Sequence, residues 1–276
     1  DNAKKIIDEL EEYSKPNLND ETIKAKDVQP LNLSSSKIET YNTCPRKYRI
    51  KYIDRVPERK TRSSGEFGSI VHKVLEDFHG LKNSDQSKEV LFKLLQQHWN
   101  TDAFEYKIRE EEFKKQAIEI LSDYFIYIKE NPPIVIEREK HFSFEMEDIN
   151  VTISGKIDRI DDNGEMFHIV DYKTSKRKEK AKKNIQMALY TEALLKNSIK
   201  GVKGKPGQAS LHYLRFGEDP LSSHIFSNEE LHDFRIKIKK VANGIRSQSF
   251  ETKKEDFNCR YCDYKEFLCP AWEQTS

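Results

Sequence analysis

The chain has 276 residues, 36% of them hydrophobic and 34% charged, with a formal net charge of +1. That length allows one large core or two small ones, and no run reaches the roughly 18 apolar residues of a membrane span. The near-zero balance excludes a general polycation, so any surface for a polyanion must come from uneven placement of charge.

The start, Asp1-Asn-Ala-Lys-Lys, has neither an apolar signal region nor an initiating Met. The chain is therefore expected to be part of a longer, cytoplasmic (intracellular) protein. Residues 1–32 read as a linker or peripheral segment, polar and punctuated by Pro16 and Pro30. Residues 33–276 read as one domain. Ser36-Lys-Ile-Glu39 has the form of a capping box, opening a short helix through Ile38 and Tyr41. Pro45 opens another through Tyr48 and Tyr52. Residues 57–66 read as a loop.

Apolar spacings of three and four predict helices over 67–79, 90–99 and 110–129. Pro132-Pro133 stops the third. The pattern then shifts toward period two. Strands are predicted over 134–140, 142–146, 151–160 and 166–173, with turns at Asp148-Ile-Asn150 and Asp161-Asp-Asn-Gly164. A helix over 184–195, a Gly/Lys-rich loop over 200–207, strands over 209–216 and near 223–226, and a long helix over 228–245 complete the order. The fold class is α/β: a mostly helical N-terminal part packed on a core of sheet and helices.

The only cysteines are Cys44, Cys259, Cys262 and Cys269. Without a secretion signal they point to a reducing compartment and to metal binding. Two disulfides or a structural zinc are the alternatives. Zinc sites commonly draw cysteines as two close pairs, whereas here one distant cysteine joins a tight trio. That division suits an iron–sulfur cluster, which takes four thiolates, and it would tie both ends of the domain together.

Asp171-Tyr172-Lys173 lies on a predicted strand, so Asp171 and Lys173 project to one face. A carboxylate that binds a divalent cation and a lysine that acts on water could share one phosphate. By itself the triplet reads more readily as a surface ion pair. Asp158 strengthens the first reading, because a hairpin turn would set it beside Asp171. Two neighbouring carboxylates repel unless a cation joins them, and Mg²⁺ or Mn²⁺ suits oxygen ligands. His72 lies one step off a helical apolar stripe, as a further ligand or an ordinary core histidine. Gln186 and Tyr190, four apart on a helix, share one face. Both could contact a phosphate or orient Lys173. Between strand and helix runs a basic loop containing Lys176, Arg177, Lys178, Lys180, Lys182 and Lys183, suited to phosphate contacts or simply solvated.

Taken together, these residues resemble the RecB-like branch of the PD-(D/E)XK nucleases. More closely, they resemble its iron–sulfur subset, found in AddB-type helicase–nucleases and CRISPR-associated exonucleases. The resemblance rests on Gly68 to Leu75 around His72, Gly155-Lys-Ile-Asp158, Asp171-Tyr-Lys173, and Gln186 with Tyr190. It also rests on the Tyr41-Asn-Thr-Cys44-Pro45 segment and the late cysteine trio. It implies a restriction-endonuclease-like mixed β-sheet flanked by helices and metal-dependent DNA cleavage, with single strands preferred and exonuclease action. His72, Asp158, Asp171 and the Tyr172 carbonyl would hold Mg²⁺ or Mn²⁺, and Lys173 would act on the attacking water. A structural 4Fe–4S cluster would sit on the four cysteines. DNA and a helicase domain are the implied partners, in DNA repair. A DNA-gripping module without cleavage, and a stand-alone nuclease of CRISPR adaptation, are the competing readings.

Overall fold

The computed structural model describes residues 29–58, 63–164 and 166–271. Most of the expected N-terminal linker lies outside them. The first strand, β1 (Leu31–Leu33), begins inside the segment read as a linker. Helix α1 (Ser35–Thr43) follows, then α2 (Pro45–Tyr48) and a π-helical turn (Arg49–Ile53). The cap of α1 is Ser34, whose hydroxyl accepts the Lys37 N–H, and not the expected Ser36. The run of three serines made both positions chemically suitable, and only the start of the chain's helical backbone decides between them.

Three helices come next: α3 (Ser63–His79), α4 (Lys88–His98) and α5 (Lys107–Glu130). Then come β2 (Val135–Met146), β3 (Val151–Asp162) and β4 (Met166–Lys173). The two short strands predicted over 134–146 are one continuous strand. Helix α6 (Ile185–Leu195), β5 (Lys205–Tyr213), β6 (Leu221–His224), α7 (Asn228–Arg246) and α8 (Asp256–Arg260) complete the order. Ser227 and Glu230 cap α7 reciprocally, which satisfies two orphan N–H groups at its start. No described helix is long and apolar enough to cross a membrane.

The six strands form one mixed sheet ordered β1-β3-β4-β5-β6, with β2 antiparallel along β3. The other edge of β3 is shared. Parallel β1 pairs with residues 151–153, and antiparallel β4 pairs with residues 159–162. Between those stretches the edge is open, and Asp158 sits at its margin. The β3–β4 turn is held locally: the Asp162 carboxylate accepts the Gly164 N–H at 2.8 Å, with Gly164 at φ +82°.

Two apolar layers cover the sheet. Helices α1, α6 and α7 pack on one face, around Ile153, Ile157, Ile169, Leu189, Leu211 and Val241. Helices α3, α4 and α5 pack on the other, around Val71, Leu75, Phe78, Leu121 and Tyr124, where Val170 and Tyr172 of β4 join them. The alternation of β4 thus sends Ile169 to the first layer and Val170 and Tyr172 to the second.

Gly155 shows why the motif before Asp158 carries a glycine. It stands opposite Phe142 of β2, and a Cβ there would lie 2.7 Å from the Phe142 ring. Gly155→Ala should destabilise the domain by about 1–3 kcal/mol through overpacking, read as a lower urea midpoint at constant m-value. An unchanged midpoint would mean that the Phe142 ring swings aside at no cost.

Candidate active site

The antiparallel register that pairs Arg159 with Val170 brings Asp158 opposite Asp171. The strands part there, and the side chain replaces the ladder: Asp158 Oδ2 accepts the Tyr172 N–H at 2.8 Å. The same oxygen lies 3.3 Å from His72 Nδ1, delivered by α3. The other ring nitrogen of His72, Nε2, is 3.0 Å from the Tyr172 carbonyl oxygen.

Asp171 is buried, and its Oδ2 forms an ion pair with Lys173 Nζ at 2.6 Å. That contact is not aligned as a hydrogen bond. Lys173 Nζ donates instead to Gln186 Oε1 at 2.8 Å, and Gln186 Nε2 donates to the Tyr190 hydroxyl at 2.6 Å. Tyr190 has one proton and two acceptors. It lies 2.5 Å from the Lys156 carbonyl and 3.4 Å from Asp171 Oδ1, so the carbonyl takes most of it. The helix spacing expected for Gln186 and Tyr190 thus serves a relay that fixes Lys173 beside Asp171.

The charges are mutually dependent. Burial and the charge of Asp158 push Asp171 up to about 6, against the pull of Lys173 and His72. For His72, burial disfavours the charged form, but the contact with Asp158 and the nearby Asp171 and Glu139 override it and push the imidazole up to about 9. A protonated ring also explains why both nitrogens face oxygen atoms. Lys173 is held above its ordinary range: burial opposes the charge, and Asp171 outweighs it. At neutral pH two cations therefore stand against the acidic pair.

One acidic residue of the cleft carries no motif in the sequence. Glu139 of β2 stands opposite Asp158 in register, and its carboxylate and the donor atoms of His72 and Asp158 lie within 4.8 Å of one another. Its backbone is left-handed at φ 45°, which only a few per cent of non-glycine residues adopt. Glu139 also pairs with Lys156. An acid on a charged, half-exposed strand has no distinguishing mark. The signal is the twisted backbone, which only coordinates reveal. The donor set of imidazole and carboxylates fits a hard divalent cation.

A buried network backs β4 on the opposite face. Arg159 Nη1 donates to the hydroxyls of Tyr124 at 2.7 Å and Tyr172 at 2.9 Å, while Nε and Nη2 donate to Asp161 Oδ2. His79 contacts the Tyr124 hydroxyl. Burial, then Arg159, hold His79 well below its ordinary range and push His212 down to about 3, so both rings stay neutral beside the guanidinium. Arg159 and Tyr124 do not stand out in the sequence, because their role depends on which strand face meets α5.

The basic loop is divided. Lys178 pairs with Asp219 at 2.8 Å and Lys182 with Glu230 at 2.9 Å. Arg177 stacks over the Phe257 ring at 5.2 Å. Lys176, Lys180 and Lys183 are exposed. The four cysteines are free thiols of intermediate exposure. Burial raises the Cys269 thiol, and Cys44, Cys262 and Cys259 each add to that shift, so the distant cysteine and the trio share one neighbourhood. Long-range bonds hold the two ends together there, among them Tyr41 to the Ser249 carbonyl, Arg46 N–H to the Glu251 carbonyl, Tyr264 to the Val56 carbonyl and Lys253 to the Asn42 carbonyl.

The sheet, its helices and the acidic cleft define a nuclease fold, and comparison with known proteins agrees. The chain belongs to the PD-(D/E)XK nuclease superfamily, whose profile matches residues 32–270. It is similar to an ATP-dependent helicase/deoxyribonuclease subunit of Clostridium kluyveri (strain NBRC 12016), with 27% identity covering 78% of this chain and 22% of that protein. The protein of the same description from Streptococcus mutans serotype c is 31% identical over 60% of this chain and 16% of its own length. The chain thus spans about a fifth of the length of these relatives. A solved structure from Eubacterium rectale, provisionally named an exonuclease, covers 95% of this chain and 94% of its own with a TM-score of 0.52 at 16% identity. That likeness is one of fold.

The charge arrangement predicts a stability profile for the chelated protein. His72 has a folded value near 9 against an ordinary 6.5, so its contribution is complete below 6.5 and lost as pH rises through 9. Asp171, raised to about 6 from 3.8, contributes fully below 3.8 and loses that contribution as pH rises through 6. Urea unfolding in EDTA should therefore weaken in two steps from acid to alkaline pH, at no more than about 1.4 kcal/mol per pH unit for each group. His72→Gln should remove the upper step and move the lower one to higher pH, because the imidazolium no longer holds Asp171 down. A flat profile between pH 7 and 9.5 would show that Asp158 does not hold the imidazolium.

Proposed function

We propose that this domain hydrolyses phosphodiester bonds in DNA with a bound divalent metal, as the nuclease part of a larger helicase-linked repair protein. The observation that carries the reading is the convergence of His72, Glu139, Asp158, Asp171 and Lys173 on one cleft. The names of the longer relatives support DNA as substrate and a helicase as partner. Preference for single strands and for strand ends is part of the proposal.

His72, Asp158, Asp171 and the Tyr172 carbonyl, with Glu139 added, would hold Mg²⁺ or Mn²⁺. A bound divalent ion supplies Lewis acidity to the phosphoryl oxygen and lowers the pKa of a bound water. His72 gives up its proton on becoming a ligand, so binding there is favoured as pH rises. Lys173, held as an ammonium by Asp171, orients the attacking water and offsets the charge gathering on the phosphate. Its raised pKa makes it an electrostatic partner of that water and not the base that deprotonates it. Gln186 and Tyr190 act through Lys173, keeping the ammonium from swinging toward solvent.

Exposed Lys176, Lys180 and Lys183 remain candidates for phosphate contacts; Arg177, Lys178 and Lys182 would first have to leave their present partners. The four thiols are chemically suited to a 4Fe–4S cluster, which would clamp α2 to the C-terminal tail without entering the reaction. A DNA-gripping module without cleavage is the second reading. The complete acidic set with its lysine argues against it, since binding alone needs neither.

The decisive experiment is cleavage of end-labelled single-stranded DNA by protein purified without oxygen. Wild type should cut with Mg²⁺ or Mn²⁺ and stop with EDTA, and Lys173→Ala should lose roughly a hundredfold or more in kcat. A folded, metal-loaded wild type that binds DNA without cutting would favour the gripping module. Cys262→Ala should lose visible absorbance, bound iron and thermal stability together. A stable, fully active Cys262→Ala protein would overturn the clamp.

A further inference from the structure

The acidic cleft is bounded by Gly68, His72, Glu139 and Asp158, with Ser64 and Thr174 forming one wall. Behind that wall lies a second depression of about 430 Å³, which Ser64 and Thr174 also line. The two hollows meet along this ridge, and their charge differs. Around the first, Glu76, Glu139 and Asp158 are matched by Lys73, Lys156 and the His72 imidazolium. Around the second stand Arg109, Lys176 and Arg215 with a single acid, Glu112. On a chain of net charge +1, three cations to one carboxylate beside an acidic cleft is a marked local excess.

Arg215 is the best prepared of the three. Its Nε donates to the Thr174 carbonyl at 2.6 Å, and its guanidinium lies over the Phe67 ring at 5.5 Å. Both contacts fix the plane of the group. They leave its two terminal nitrogens without a hydrogen-bond partner among the described residues, in the fork geometry that matches a phosphate. Burial lowers its pKa, with Glu119 opposing, so part of its hydration is already lost. Arg109 and Lys176 are exposed at the rim. Thr174 directly follows Lys173, so Arg215 is anchored to the backbone next to the site lysine.

We infer that this second depression seats a backbone phosphate of the DNA strand being cut, next to the scissile one. Arg215 is the fixed anchor, and Arg109 and Lys176 are the outer charges. The proposal rests on the nuclease reading for its substrate and adds the direction in which the strand leaves the acidic cleft: over the Ser64–Thr174 ridge. An anion held there aligns the neighbouring phosphodiester with Asp171 and Lys173, so the hollow acts on positioning and affinity and not on bond breaking.

The test compares two substrates on the intact protein. The p-nitrophenyl ester of thymidine 5′-monophosphate has one phosphodiester and reaches only the acidic cleft. A fluorescein-labelled single-stranded 12-mer reaches both hollows. Arg215→Gln and the surface variant Arg109→Gln should turn over the small ester like wild type. Each should raise KM for the 12-mer about tenfold, the scale of one charged contact. The fall of log K with log salt should become shallower by roughly 0.7 for each phosphate contact removed. Unchanged KM and salt slope overturn the proposal, as does equal loss on both substrates, which would make Arg215 a support for Thr174. If Arg215→Gln does not fold, Arg109→Gln decides by the same readings. If wild type cuts neither substrate, the nuclease reading fails. Anisotropy of the 12-mer in Ca²⁺ then decides alone: weaker binding by the variants upholds the phosphate seat, and equal binding removes it.

Discussion

Two carboxylates on neighbouring strands, in a place water barely reaches, are the condition around which this domain is arranged. Unit charges 4 Å apart repel by about 4 kcal/mol at an effective dielectric near 20, a large share of the 5–15 kcal/mol that typically holds a domain together. The fold answers with donors. Asp158 takes a backbone N–H and an imidazolium, and Asp171 takes the Lys173 ammonium. Each of those partners is then held by something else: His72 by α3, and Lys173 by Gln186 and Tyr190 of α6. Removing the cations would leave charge that only a metal or added protons could balance.

The parting of β3 and β4 is the geometric counterpart of that arrangement. A ladder continued past Arg159 and Val170 would tie the Tyr172 peptide to the facing strand. Instead its N–H meets Asp158 and its carbonyl meets His72, so both backbone polar groups of Tyr172 are held within the cleft. From behind, Arg159 holds the Tyr172 hydroxyl in a buried cluster with Tyr124 and Asp161. Breaking a buried ion pair from one side costs about 3–5 kcal/mol, so the cluster resists rotation of β4 strongly. The acidic face and the Arg159 face are two sides of the same short strand, and the position of the carboxylates depends on both.

Much of this was legible in the sequence where a short period decides. Alternation placed Asp171 and Lys173 on one face, a turn rich in Asp, Asn and Gly set Asp158 across from them, and a spacing of four joined Gln186 to Tyr190. Most of the helices and the strands from β3 to β6 followed from the same periods. The unread parts depend on contacts between distant elements. Glu139 enters the cleft through an unusual backbone angle in a strand that resembles a polar edge. Lys178 and Lys182 belonged to a basic run, but Asp219 and Glu230 lie outside it and tertiary packing alone brings them near. The division of β2 into two strands arose from Lys140-His141, which interrupt the apolar alternation without interrupting the pairing. Arg215 looked like the end of an ordinary strand.

The bonds that tie the early segment to the late one have a consequence for the order of assembly. Tyr41 meets Ser249, Tyr264 meets Val56, and Arg246 meets the Gln29 carbonyl across 217 positions. Contacts of such sequence separation form late, because a long loop must close first. Every residue of the acidic cleft lies at or before Tyr190, yet the partners of Gln29, Tyr41 and Val56 come only with Arg246, Ser249 and Tyr264. A growing chain therefore carries the residues of the acidic cleft before it has the late segment that ties its two ends together. That interval exposes an unfinished sheet to the risk of wrong pairing.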